Sequence, residues 1–82
     1  MVKVRWSRRF RNIFANIKDQ SLKTKIQKQI EKIRANPKVG KPMGYDRRGT
    51  RELRVKPFRL SYKYLPIEGL VYIVDLYHKK KQ

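Results

Sequence analysis

Arg51-Glu52-Leu53-Arg54-Val55-Lys56-Pro57-Phe58-Arg59-Leu60-Ser61-Tyr62-Lys63-Tyr64 alternates cationic and apolar residues with a period of two. In an extended chain that period sends the two classes to opposite faces. Phe58, Leu60, Tyr62 and Tyr64 share one face, and Arg59, Ser61 and Lys63 share the other. One face is therefore expected to be core and the other a cationic platform suited to phosphate. Pro57 falls between two runs, where a missing amide donor does least harm. A third run, Leu70-Val71-Tyr72-Ile73-Val74-Asp75-Leu76-Tyr77, follows Pro66-Ile67-Glu68-Gly69, a plausible hairpin turn. Strands are expected near Arg51–Val55, Phe58–Leu65 and Leu70–Tyr77.

Upstream, Val2, Val4 and Trp6 alternate with Lys3 and Arg5, the pattern of a short half-buried strand. Ser7 reads as a helix N-cap. Phe10, Ile13, Phe14 and Ile17 then fall at helical spacing from Arg8 to about Lys18. Ser21 offers a second cap for a helix carrying Leu22, Ile26, Ile30 and Ile33, which ends near Asn36 because Pro37 disfavours helical geometry before it. The short connection predicts that the two helices pack antiparallel. Pro37 to Gly49 reads as a loop. Residues 1–82 are thus expected to form one α+β domain: an N-terminal strand, an antiparallel helical hairpin, then a three-stranded antiparallel meander, with the helices on one face of the sheet.

The chain carries 23 Lys and Arg against 6 Asp and Glu, a formal charge of +17 on 82 residues. A polyanion is the natural partner. The longest apolar run, Leu70 to Val74, is far short of the roughly 20 residues that span a bilayer, so no membrane partner is expected. Basic residues at Lys3, Arg5, Arg8, Arg9 and Arg11 break up any secretory signal, so a cytoplasmic location is expected. With no cysteine and a single histidine, neither a disulfide framework nor a thiolate or histidine metal cluster can form. No metal and no cofactor are expected, and no small-molecule ligand. A small core under such charge should also gain stability from an acidic protein partner.

Arg59 and Arg54 lie on adjacent strands, and a tight turn at Lys56-Pro57 would let both guanidinium groups converge on one phosphate. His78, at the end of the last strand, is a candidate proton donor or acceptor, with Lys79, Lys80 and Lys81 available for flanking phosphates. A frayed basic tail is the plainer account of the same residues. Tyr62, Tyr64, Tyr72 and Tyr77 are divided between core packing and base stacking. The acids are too few and scattered for a two-metal nuclease, and Glu52 and Asp75 are expected as ion-pair partners. Cleavage of nucleic acid would suit RNA, whose 2′-hydroxyl is an internal nucleophile that the protein need only align.

The order of elements, the Asn36-Pro37 helix end, the Arg51-Glu52-Leu53-Arg54 and Phe58-Arg59-Leu60-Ser61-Tyr62 strands and the closing Tyr77-His78-Lys79-Lys80 together resemble the RelE/ParE superfamily of toxin–antitoxin toxins. The resemblance implies a RelE-like fold and, for its RelE and YoeB-like branch, a translation-inhibiting mRNA interferase that cuts mRNA on the ribosome without metal. An acidic antitoxin would be its inhibitor. Arg59 takes the place of the arginine that contacts the scissile phosphate, Arg54 that of a basic residue in the preceding strand, and His78 that of a histidine in the YoeB-like branch. The implied catalytic set is Arg59, His78 and Arg54, and the residues expected to contact RNA or its phosphates are Arg51, Lys63, Tyr77, Lys79, Lys80 and Lys81. Thr50 and Glu52 stand where RelE has lysines, and Tyr77 is the nearest counterpart of its C-terminal tyrosine. Two other outcomes stay open: inhibition of DNA gyrase in the manner of ParE relatives, and a basic nucleic-acid-binding module without catalysis.

Overall fold

The structure, a computed structural model, describes residues 2–44 and 49–78. Strand β1 (Lys3–Trp6) leads into helix α1 (Arg8–Asn16) and helix α2 (Gln20–Ala35). Strands β2 (Lys41–Pro42), β3 (Arg51–Val55), β4 (Phe58–Leu65) and β5 (Leu70–His78) complete the described chain. The five strands form one sheet in the order β1-β5-β4-β3-β2. The β1–β5 pair is parallel and the others antiparallel. The expected α+β architecture is present, with one addition. Lys41 and Pro42, expected within a loop, pair with Glu52 and Arg51 as a two-residue edge strand too short to leave a periodic signal.

Both helices lie on the same face, α1 against β5 and α2 against β3. Phe10, Ile26, Ile30 and Ile33 pack there on Val55, Leu60, Tyr62, Val71, Ile73 and Leu76. Trp6 meets Phe10 and Phe14 edge-on, with centroids 4.8 and 5.0 Å away, so an aromatic cluster ties β1 to α1. Among the described residues no helix is long and apolar enough to cross a membrane.

Capping residues set the helix starts. Asp19, rather than Ser21, caps α2: its Oδ1 accepts from the amides of Ser21 and Leu22 at 2.9 and 3.3 Å. A carboxylate also complements the positive end of the helix dipole better than a hydroxyl does. Helix α1 ends at Asn16, two residues before the expected Lys18. Ser7 caps α1 as expected, accepting from Phe10 N at 3.0 Å, and its hydroxyl donates onward to Val74 O at 2.7 Å.

That second bond sits at a register break. Ser61 pairs with Asp75, yet Tyr62 pairs with Ile73, which leaves Val74 as a bulge residue in β5. Ser7→Ala would remove a cap and leave the bulge carbonyl without its donor. We expect it to cost about 1–2 kcal/mol in urea unfolding, the cap alone accounting for about 1 kcal/mol.

The turn between β4 and β5 is a single 3-10 turn, Pro66–Glu68, closed by Gly69 in the left-handed region at φ 60°. A glycine is favoured there because a Cβ would crowd the backbone.

Candidate functional site

Val55 and Phe58 pair on either side of Lys56-Pro57 to close the β3–β4 hairpin, and that register sets Arg54 directly opposite Arg59. Their alternation with Val55 and Leu60, both buried under the helices, places them on the face that the helices leave open. Across β4, Arg59 pairs with Tyr77 of β5. One row of the open face thus reads Arg54, Arg59, Tyr77.

The next row reads Glu52, Ser61, Asp75. Glu52 is 3% exposed and Ser61 6% exposed, although both lie on the face without helices. The Tyr77 hydroxyl reaches across β4 and donates to Glu52 Oε2. Arg59 Nη1 lies 3.8 Å from Glu52 Oε1, an ion pair longer than a hydrogen bond. A buried carboxylate needs such company, because desolvating an unpaired charge costs several kcal/mol. Asp75 faces Arg9, whose Nε donates to its Oδ1 at 2.9 Å in an exposed pair.

One feature suits this site to an anion. Like charges directly opposite on one sheet face destabilise the pairing, and Arg54 and Arg59 do so with Glu52 beside only one of them. A phosphate on the open face would relieve this, since a guanidinium fork matches it in charge and shape.

The remaining candidates fall elsewhere. His78 pairs with Phe58 on the helix-covered side, its ring edge-on to the phenyl at 5.7 Å, so the sheet does not bring it together with Arg59 and Arg54. Arg51 also faces the helix side, where its Nη1 donates to Lys38 O at 3.1 Å and Gly40 O at 2.8 Å. It holds the loop after α2 and is not part of the cationic platform. Lys63 is exposed on the open face. Lys79, Lys80 and Lys81 lie outside the described residues. Glu52, expected only as an ion-pair partner, is the residue at the centre of the site. Its signal in the sequence is its place two before Arg54, on the same strand face.

Arg51 works with Tyr62, which is fully buried beneath that loop. The phenol accepts from Gly40 N at 2.9 Å and donates to Pro37 O at 2.7 Å. Burial raises its pKa above the ordinary phenol value of about 10, only partly offset by the Gly40 bond and the Arg51 charge. The protonated phenol is therefore favoured by folding. Its contribution to stability is present below about pH 10 and is lost as pH rises through the folded-state value. In an alkaline titration followed by tyrosinate absorbance, Tyr62→Phe should remove a step that lies above the ordinary phenol range.

Several solved structures with the same fold are toxins. The E. coli RelE chain of the RelBE toxin–antitoxin complex superposes with a TM-score of 0.80 at 11% identity, covering 95% of this chain and 96% of that one. The YoeB/ParE toxin from Agrobacterium tumefaciens gives 0.83 at 17%, covering 93% and 96%. A chain of the RelBE2 toxin–antitoxin complex from Mycobacterium tuberculosis gives 0.80 at 23%, covering 95% and 98%. No curated protein matches the sequence. The family model described as the ParE toxin of the type II toxin–antitoxin system, parDE, matches residues 4–82. The chain belongs to that family, within the RelE/ParE superfamily, and is a type II toxin.

Proposed function

We propose that this toxin is a metal-independent endoribonuclease that cuts mRNA on the ribosome. The observation that carries the proposal is the row Arg54, Arg59, Tyr77 over the buried Glu52. Arg59 and Arg54 hold the scissile phosphate and stabilise the charge that gathers on its oxygens as the 2′-oxygen attacks. Tyr77 accepts the 2′-hydroxyl proton while passing its own to Glu52, the P–O5′ bond breaks, and the departing 5′-oxygen takes a proton from water. The products are a 2′,3′-cyclic phosphate and a 5′-hydroxyl end. An acidic antitoxin covering the cationic face is the inhibitor, a role supported by the RelBE complexes that share the fold.

Proton transfer here falls to Tyr77 rather than His78, because only Tyr77 shares a face with the arginines. Tyr77→Phe should lower cleavage by about 100-fold, and His78→Ala by less than about tenfold, in a reconstituted translation assay with melting curves to confirm folding. The reverse order would return the role to His78. Inhibition of DNA gyrase is a second reading, favoured by the match to a ParE model. It predicts loss of supercoiling activity in extracts with RNA left intact.

A further inference from the structure

Farther along the open face a second row crosses the sheet. Tyr72 of β5 pairs with Arg5 of β1 on one side and with Lys63 of β4 on the other. All three are exposed, and Tyr72, at 37%, is one of the few large apolar side chains left open to solvent. Arg11 of α1 joins Arg5, Trp6 and Tyr72 around a hollow of about 390 Å³ beside the row. Among the described residues Arg5, Lys63 and Arg11 have no acidic partner and none is stacked on the Tyr72 ring, whereas Lys23 does sit over Phe14.

An aromatic ring open to solvent between cations that have no acidic partner among the described residues is poorly explained by stability. Such a ring gains little from burial, and the cations on either side repel one another. The same arrangement fits single-stranded nucleic acid, where a base stacks on the ring and the adjoining phosphates meet the cations. Lys63 is four residues from Arg59 on one strand, about 13 Å away at the rise of an extended chain. A strand of RNA with its phosphate at Arg59 would therefore reach the Tyr72 row within a few nucleotides.

We infer that Tyr72, Lys63, Arg5 and Arg11 form a second RNA subsite that stacks a base away from the cut and sets the path of the strand over the sheet. This rests on the nuclease reading for its direction but not for its existence, since the row binds single-stranded RNA whether or not Arg59 cuts. Duplex nucleic acid, whose bases are not available for stacking, would gain nothing from Tyr72.

The test is fluorescence anisotropy of a labelled oligouridylate against the purified toxin, its Arg59→Ala variant, and Tyr72→Ala, Tyr72→Phe and Lys63→Gln. Tyr72→Ala should weaken binding by roughly tenfold and Tyr72→Phe by little, because the phenyl ring still stacks. Lys63→Gln should make binding less sensitive to salt by close to one phosphate contact. A labelled DNA duplex should bind Tyr72→Ala and parent alike. The inference is overturned if Tyr72→Ala binds oligouridylate as the parent does, whatever Arg59→Ala does to cleavage. If Tyr72→Ala weakens binding but the parent cuts no RNA on ribosomes, the subsite stands and the nuclease reading falls.

Discussion

Arg59→Ala is expected to lower mRNA cleavage on purified ribosomes by about 100- to 1000-fold, the usual loss when one preorganised donor to a developing oxyanion is removed. Arg59 combines the needed properties: it faces the open side, lies opposite a second arginine, and pairs across to Tyr77. Alanine would also remove a cation beside the buried Glu52, so Arg59→Lys is the sharper companion. Lysine keeps a positive charge near Glu52 but replaces the planar fork by a point charge. It should fold like the parent and still cut at least about tenfold more slowly. Equal cleavage by parent and Arg59→Lys would mean that only charge is required at this position.

The second large effect is on stability and lies on the other face. Gly40→Ala would place a Cβ 2.6 Å from the Tyr62 hydroxyl oxygen and 2.7 Å from its Cε1. Tyr62 is fully buried and bonded to Gly40 N and Pro37 O, so its ring has no room to yield. Overpacking plus loss of these bonds should cost about 2–4 kcal/mol, a fall in Tm of about 10–25 °C for a domain of this size. Thermal unfolding by circular dichroism measures it. Because the loop from Pro37 to Gly40 also anchors Arg51, the same change should leave β3 less firmly held.

Much of the fold was legible because β3, β4 and α2 are locally consistent. Their periods send Val55, Leu60, Tyr62 and the isoleucines of α2 into the core, Pro37 ends the second helix, and Gly69 closes the last turn. The cationic face followed from the same period, and with it the juxtaposition of Arg54 and Arg59. The position of Tyr77 did not follow. Strict alternation onward from the buried Ile73 would turn Asp75 and Tyr77 inward and set His78 on the open face beside Arg59. The bulge at Val74 reverses that phase, sending Leu76 into the core and Tyr77 outward. Nothing near Val74 in the sequence marks it, because the hydroxyl that bonds its carbonyl belongs to Ser7, 67 residues away. Arg51, expected among the RNA contacts, has the phase of Val55 and meets loop carbonyls that need a donor, which no local pattern announces.

The central claim is that this toxin cuts translated mRNA through Arg59, and mapping mRNA 5′ ends after brief induction in cells tests it most directly. The parent should arrest growth and leave new 5′ ends within translated frames, and Arg59→Ala should leave neither. Growth arrest without new 5′ ends, or the same ends in the Arg59→Ala cells, would contradict it.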